Sequence, residues 1–246
     1  TRYLAIALAV LGAMLWVPAA VLGGILGKTG SLRLAIEIAS IGAGLIVLAQ
    51  YASLGDPAAF WSDALNAFLS LRIDAETLAN ADLGPLVELM AGWMAGGVAA
   101  TWLLGNVLSL SLARYWSALL DRPGAFGDEF RALRFGRWLL ILVPALLVFG
   151  VILTGGRPNL VGQLYLVGMV VFLIQGLSFA HWLVAEFSGS GAWIVGLYLL
   201  LILVAPQSAT MVALAGYADG WLDFRTRVRA RRPPAPSLER RLRKTR

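Results

Sequence analysis

Apolar residues form long stretches of the chain, and short polar segments separate them. The stretches cover residues 3–26, 34–51, 85–113, 138–154, 160–184 and 192–217. A helix that crosses the apolar core of a bilayer needs about 20 such residues. The pattern therefore predicts an all-α fold, a polytopic transmembrane helical bundle with no separate soluble domain.

Two of these stretches contain a proline that changes the expected number of membrane segments. Pro18 lies in the first stretch and Pro206 in the last. A single final crossing would bring the arginine-rich C-terminus outside, against the positive-inside rule. A turn at each proline would instead make two short hairpins and keep both termini in the cytoplasm. We therefore predict about eight membrane segments, with six or seven crossings as the alternative.

The charged segments indicate an orientation for the predicted membrane domain, residues 1–224. Segment 53–84 holds five acids and one base, so we expect it outside the cytoplasm. Its apolar residues from Phe60 to Leu69 recur at helical spacing, which predicts an amphipathic helix on the outer surface. A lid over a cavity is the alternative. Loop 114–137 carries five arginines against three acids and is predicted to be cytoplasmic.

Composition agrees with a membrane protein, because 59% of the residues are apolar and 14% are charged. The net charge of +6 is unevenly placed. Segment 225–246 has ten basic residues and one acid, so the rest of the chain carries −3. We interpret this segment as a cytoplasmic tail that attracts anionic lipid, with no specific nucleic acid expected.

Few polar side chains interrupt the predicted crossings. Because polar groups at bilayer depth are costly, they usually face a cavity or a partner. We predict that a solute cavity would be lined by some of five residues, Gln163, Gln175, His181, Asn106 and Trp102. The alternative for His181 is a neutral imidazole that is hydrogen-bonded within the bundle. Glu186 lies five positions later, on another face of the helix, so these two residues alone form no metal pair.

Two further patterns suggest contact surfaces. Ala5, Ala9 and Ala13 recur every four residues, which gives a small-residue face that another membrane subunit could approach closely. Packing within the bundle is the alternative. Near the C-terminus, Asp219, Trp221, Asp223 and Arg225 are predicted to form the cytoplasmic end of the last helix. Asp219, Asp223 and Arg227 recur every four residues, the spacing of paired charges on a helix, which indicates a charge-paired terminus with an aromatic anchor. A conformational latch or a subunit contact is the alternative.

No catalytic machinery is evident in the sequence. The chain has no cysteine and one histidine, which excludes thiol chemistry, disulfides and a Cys/His zinc site. It also lacks a phosphate-binding Gly-Lys-Ser/Thr loop, a Gly-x-Ser-x-Gly elbow and a His-Glu-x-x-His motif. We therefore expect a protein that is not an enzyme and needs no cofactor or metal.

Three motifs carry a resemblance to a known family. They are Arg-Tyr-Trp-Ser-Ala-Leu-Leu-Asp-Arg-Pro-Gly-Ala-Phe-Gly-Asp-Glu-Phe-Arg-Ala-Leu-Arg from Arg114 to Arg134, Gln-Gly-Leu-Ser-Phe-Ala-His from Gln175 to His181, and Gly-Tyr-Ala-Asp-Gly-Trp-Leu-Asp-Phe-Arg from Gly216 to Arg225. They resemble the YybS-like bacterial inner-membrane proteins of unknown function. The resemblance implies a multi-pass protein of the bacterial cytoplasmic membrane.

The architecture also resembles, more distantly, the substrate-binding S components of energy-coupling-factor transporters. That resemblance implies a solute pocket among small membrane helices and an alanine-rich face, here Ala5, Ala9 and Ala13, that meets a coupling subunit. Two functions follow as hypotheses. The first is a non-enzymatic solute-binding or transport-related subunit, and the alternative is a scaffold or assembly factor that packs against another membrane protein complex.

The predicted orientation can be tested with reporter fusions at Asp74, Arg131 and Arg246. We expect the Arg131 and Arg246 reporters to lie on one face of the membrane, because arginines dominate both segments. The Asp74 reporter should lie on the opposite face. Arg131 and Arg246 on opposite faces would contradict the eight-segment arrangement.

Overall fold

In a computed structural model the fold is all-helical, with 87% helix and no strands over the described residues, which are 2–73, 82–155 and 159–230. The side chains of 2–11, 14, 15, 154 and 188 lie outside this description. The helices are α1 (Arg2–Thr29), α2 (Leu32–Leu54), α3 (Pro57–Ser70), α4 (Gly84–Asp121), α5 (Ala125–Arg131), α6 (Arg137–Thr154), α7 (Leu160–Leu183), α8 (Ala192–Leu203), α9 (Gln207–Leu222) and α10 (Phe224–Ala230). A π-helical turn, Val184–Ser188, continues α7.

Three helices among the described residues are long and apolar enough to cross a membrane. They are α2, α4 and α7 with its π-helical continuation to Phe187. Helices α6 and α8 are apolar but shorter. The membrane helical fold is thereby confirmed in its coarse form, whereas the predicted eight segments are not.

The turn predicted at Pro18 is wrong. Helix α1 runs without interruption from Arg2 to Thr29, with Pro18 in its interior. Proline removes one backbone donor, and membrane helices tolerate this because neighbouring groups satisfy the freed carbonyl. Pro144 likewise lies inside the continuous helix α6. A proline inside an apolar stretch therefore gave no reliable signal for a hairpin.

The break predicted near Pro206 is confirmed. Helix α8 ends at Leu203, α9 begins at Gln207, and the Ala205–Pro206 peptide is cis. Helix α8 starts just after the C-terminal end of α7, and α9 ends beside that same end, where Arg225 contacts Ser178. With 12 and 16 residues the two helices rise about 18 and 24 Å, so neither spans a 30 Å core. They form a hairpin that enters and leaves the bundle at one end.

We call this end the loop end, because residues 122–136 also lie there. Arg225 of α10 donates a hydrogen bond to the carbonyl of Arg131, in this loop. The turn between α1 and α2 joins the same end, since Arg114 and Glu129 bond the backbone of Gly30 and Leu32. The start of the basic tail therefore lies at the same end as the arginine-rich loop. Residues 231–246 of the predicted tail lie outside the described residues.

At the opposite end, α3 occupies the predicted amphipathic stretch and packs against α4. Asp56 caps α3 by accepting hydrogen bonds from the Ala58 and Ala59 amides. Gln50 of α2 joins three helices, because it accepts from the Trp61 indole at 3.1 Å and donates to the Ala95 carbonyl at 3.1 Å. Asp74 and Glu76, two acids of the predicted external segment, lie outside the described residues.

Helix α7 is the centre of the bundle, and it packs against α2, α4, α6 and α9. Its closest neighbour is α9, at Gly176 and Gly216. A Cβ added to Gly176 would overlap the Val212 carbonyl, and one added to Gly216 would overlap the Phe172 carbonyl and the Gly176 amide. The two backbones are thus in direct contact, which fixes the short helix α9 on the core.

We expect Gly216→Ala to lower the free energy of unfolding by about 1–3 kcal/mol, the usual cost of overpacking. Gly105→Ala is the control, because a Cβ there meets nothing within 4 Å and alanine also favours the helix. The measurement is reversible unfolding of the purified protein in mild detergent by increasing fractions of sodium dodecyl sulfate. Equal stability of the two variants would contradict the close contact.

Candidate functional site

A buried ion pair lies at the loop end, beneath the loop that joins α5 to α6. The Asp219 side chain is fully buried, and the Arg225 residue is 5% exposed. Arg225 Nε donates to Asp219 Oδ2 at 2.9 Å. Burial lowers the pKa of Arg225, while the Asp219 carboxylate acts in the opposite direction. Removing a charged pair from water is costly, so the rest of the site has to satisfy both groups.

Arg225 contacts groups on every side. Its guanidinium also donates to the Arg131 carbonyl and to Ser178 Oγ. The rings of Phe179 and Trp182 lie 5.7 and 5.9 Å from its central carbon, within the range of cation–π attraction. These contacts fix the start of α10 against α7.

A second arginine, Arg134 of the loop, contacts both Asp219 and Asp223. It donates from Nη1 to Asp223 Oδ1 at 2.6 Å and from Nη2 to the Asp219 carbonyl at 2.7 Å. The hydrogen bond from the Thr226 hydroxyl, followed by that from Arg134, lowers the pKa of Asp223. Asp223 therefore stays ionised at neutral pH and attaches α9 to the loop.

Two further side chains bond the backbone of this loop. Gln175 accepts from the Phe135 amide at 2.9 Å and donates to the Gly216 carbonyl at 2.6 Å. Ser178 Oγ lies 2.6 and 3.1 Å from the carbonyls of Phe130 and Leu133. We call the side chains that make these contacts the polar clamp. Its members are Arg134, Gln175, Ser178, Asp219, Asp223 and Arg225.

One oxygen of the polar clamp has no hydrogen-bond partner among the described residues. It is Asp219 Oδ1, which is buried although its neighbour Oδ2 is bonded to Arg225. A buried acceptor that is left unbonded costs about 1–3 kcal/mol. The arrangement thus holds charge and hydrogen bonds in a fixed geometry.

The structure brings together three of the four residues predicted at the C-terminal helix end, Asp219, Asp223 and Arg225. The fourth, Trp221, points away from these three residues and is 55% exposed. Trp116 and Trp193, near the same end, are exposed as well. The sequence suggested that Arg227 continues an i,i+4 series with the two aspartates. Instead, α9 ends at Asp223, which has a φ of +48°, and the change in direction turns Arg225 inward.

Gln163 and Gln175, predicted to line a solute cavity, both connect helices. Gln163 accepts from the Gly96 amide of α4 at 2.7 Å and donates to the Gly92 carbonyl. It packs so closely on α4 that a Cβ on Gly96 would lie 2.6 Å from its Oε1. Gln175 belongs to the polar clamp. Both buried amides have a donor and an acceptor partner, for Gln163 on α4 and for Gln175 in the loop before α6 and on α9.

The other three predicted cavity residues lie elsewhere. His181 Nδ1 is 2.8 Å from the Leu177 carbonyl of its own helix, and its ring contacts Phe130 and Tyr198 edge-on. Asn106 donates to the Trp102 carbonyl at 2.9 Å, whereas its Oδ1 is buried without a partner among the described residues. The Trp102 ring covers Gly42 of α2.

The five residues do not meet in one place. Gln163 and His181 are 18 positions apart on α7, or about 27 Å along the axis. None of the five lines either of two cavities in the described structure, of about 390 Å³ beside Arg114 and about 180 Å³ beside Trp138. No group of three or more His, Cys, Asp or Glu side chains positioned for a metal occurs in the part of the chain that the structure describes.

The small-residue faces differ in their surroundings. On the N-terminal face Ala13 is exposed, while the side chains of Ala5 and Ala9 lie outside the described residues. The equivalent alanines of α2, Ala35, Ala39 and Ala43, are buried in the core. Of these two faces, the α1 face is thus the one with an exposed described member, and it stays a predicted partner surface.

Sequence reasoning missed Arg134, Gln175 and Ser178 as members of one site. Arg134 was counted only as part of a positive loop, and Gln175 was assigned to a cavity. The signal available was the coincidence of Asp219 and Asp223 with a loop rich in arginine, which predicts pairing but does not say which arginine pairs. Comparison with known proteins gives no further guidance, since no family model, curated protein or solved structure matches the chain.

A double-mutant cycle tests the buried pair. Asp219→Asn and Arg225→Gln should each destabilise the protein by about 3–5 kcal/mol, because each leaves one buried charge unpaired. The double variant should be more stable than the sum of the two single effects predicts, with a coupling energy of about 0.5–3 kcal/mol. Thermal unfolding in detergent at neutral pH provides the measurement.

The matched control is the pair Asp128 and Arg131, whose side chains lie 2.7 Å apart and are 81% and 36% exposed. Asp128→Asn and Arg131→Gln should show a coupling below about 1 kcal/mol, as exposed pairs do. Similar coupling energies for the two pairs would contradict the special role of burial.

Proposed function

We propose that this protein is a non-enzymatic integral membrane scaffold or assembly factor that packs against another membrane protein. The observation that carries the proposal is the use of Gln163 and Gln175. Their amides bond the backbones of α4, of α9 and of the loop before α6, which supports a role in holding the bundle together rather than in binding a solute. A sealed core with an ordered polar end suits a protein whose outer surface is its working part.

The solute-binding or transport-related subunit is the second candidate, and Asn106 favours it. Its buried Oδ1 lacks a partner among the described residues, half-way along α4. A solute with a hydrogen-bond donor would satisfy this oxygen. Gln163 and Gln175 do not add to such a site, because both amides are already bonded.

For the location we propose the bacterial cytoplasmic membrane, as the resemblance to the YybS-like proteins implies. The loop end would face the cytoplasm, since Arg114, Arg122 and Arg137 lie there and the basic tail starts there. Because α1 is continuous and ends at the loop end, its first residues would lie on the side of the membrane opposite the cytoplasm. We therefore propose this location in place of the cytoplasmic N-terminus expected from the sequence. Anionic lipid remains the proposed partner of the tail.

The proposal is tested by purification of the tagged protein from native membranes in mild detergent, followed by native mass spectrometry for proteins and small molecules. We expect a membrane protein bound at fixed stoichiometry. Ala13→Leu should abolish that complex, because a bulky side chain blocks close approach of another helix.

Ala49→Leu is the control, since Ala49 is also exposed but lies on α2, away from the small-residue face of α1. Retention of the fold is checked by thermal unfolding for both variants. A small molecule that is bound to the parent and lost in Asn106→Leu, without a protein partner, would replace the scaffold proposal by the solute-binding one.

A further inference from the structure

A groove of about 180 Å³ opens on the side of the bundle between α2, α6 and α7. Its walls include Ile41 and Gly44 of α2, Trp138 and Leu142 of α6, and Leu164 and Gly168 of α7. Ile41, Leu142 and Trp138 are 54%, 43% and 44% exposed, so they form a rim that faces outward. The groove is a lateral opening and does not lead to the polar clamp.

The residues that line the groove favour an apolar ligand. Apart from the Trp138 indole at the rim, its one polar side chain is Ser40, whose hydroxyl already donates to the Ile36 carbonyl of its own helix at 2.7 Å. A polar solute or a peptide backbone would lose its hydrogen bonds to water here and gain none, at a cost of several kcal/mol. A hydrocarbon chain makes no hydrogen bonds to water, so its entry into the groove carries no such cost.

The groove runs along the helices from the loop end toward the middle of the bundle. On α6 it extends from Trp138 to Leu146, which is eight residues or about 12 Å. Half the apolar thickness of a bilayer is about 15 Å. The groove therefore matches the depth of one leaflet, the one whose headgroups lie at the loop end.

Positive charge stands at the mouth of the groove. Arg33 Nη2 and the Trp138 ring both lie within 3.5 Å of the position that a Cβ would take on Gly136. The Arg33 side chain is 53% exposed, and its Nε bonds Glu37 at 3.0 Å. Arg137 precedes Trp138, is exposed and makes no ion pair within the described ranges. With Glu37 counted, the mouth carries a net charge of +1.

We propose that the groove binds one acyl chain of an anionic phospholipid, with the lipid phosphate at Arg33 and Arg137 and the glycerol region beside Trp138. Tryptophan is the side chain that favours this depth of the interface. The apolar wall of the groove thus matches the acyl chain, and the positive charge at its mouth matches the lipid headgroup. The depth of the groove matches one leaflet of the bilayer. The site is independent of the proposed scaffold function and of the tail.

The test uses the full chain in phosphatidylcholine nanodiscs that contain a trace of phospholipid with a photoactivatable acyl chain. The probe is either phosphatidylglycerol or phosphatidylcholine, and labelled residues are mapped by peptide mass spectrometry. We expect phosphatidylglycerol to label the walls of the groove about fivefold more than phosphatidylcholine, the ratio equivalent to about 1 kcal/mol for one net basic residue.

Two pairs of variants separate this site from the general lipid shell. Gly44→Leu should abolish labelling of the groove, because a Cβ at Gly44 has room and the longer side chain fills the space. Gly105→Leu on α4 should have no effect. Arg137→Gln should reduce the preference for phosphatidylglycerol to near unity, whereas Arg122→Gln, at another exposed arginine of the loop end, should preserve it.

If Gly44→Leu fails to fold, Ile41→Trp blocks the rim from a position that is already exposed. The proposal is overturned if both lipids label the groove equally. It is also overturned if labelling is spread evenly over exposed residues such as Leu108, or if filling the groove leaves its labelling unchanged. These results would assign the groove to the general lipid shell.

Discussion

Arg225 is the residue on which the loop end of this protein depends. Arg225 is 5% exposed, and its guanidinium Nε, Nη1 and Nη2 each donate one hydrogen bond, to α9, to the loop before α6 and to α7 respectively. None of these elements can move without leaving part of that charge unsolvated. Arg134 also bonds the Asp219 carbonyl and lies 3.8 Å from the Asp219 carboxylate, so the end of α9 is held by charge as well. The ion pair therefore determines where a short hairpin, a loop and the start of the tail lie relative to the central helix.

Close backbone contact complements the ion pair. In a bilayer, helices gain little from the burial of apolar surface, so their association relies on van der Waals packing and interhelical hydrogen bonds. Gly176 and Gly216 supply the first by allowing α7 and α9 to touch. Gln163 and Gln175 supply the second, on α4 and on α9. Glycine contacts and glutamine hydrogen bonds thus add to the packing of large apolar side chains such as Leu103 and Phe172 in the core.

The helical membrane class, a helix between α2 and α4 and the break at Pro206 could be predicted from the sequence, because each depends on local pattern or on charge balance. The external position of that helix stays a prediction. Sequence reasoning failed at Pro18, since the same residue type is compatible with a turn and with a continuous membrane helix. It gathered Asp219, Asp223 and Arg225 but paired them by helical spacing, which ceased to apply once Asp223 ended the helix. Arg134 and Gln175 join the site from 85 and 41 residues away from their partners, and no local pattern encodes contacts of that range.

The α8–α9 hairpin also affects the overall shape of the molecule in the membrane. Because its two helices rise about 18 and 24 Å and return to the loop end, they add cross-sectional area mainly to one leaflet. At the opposite end the additional element is α3, which packs against α4. Different helices therefore make up the cross-section of the bundle in the two halves of its length.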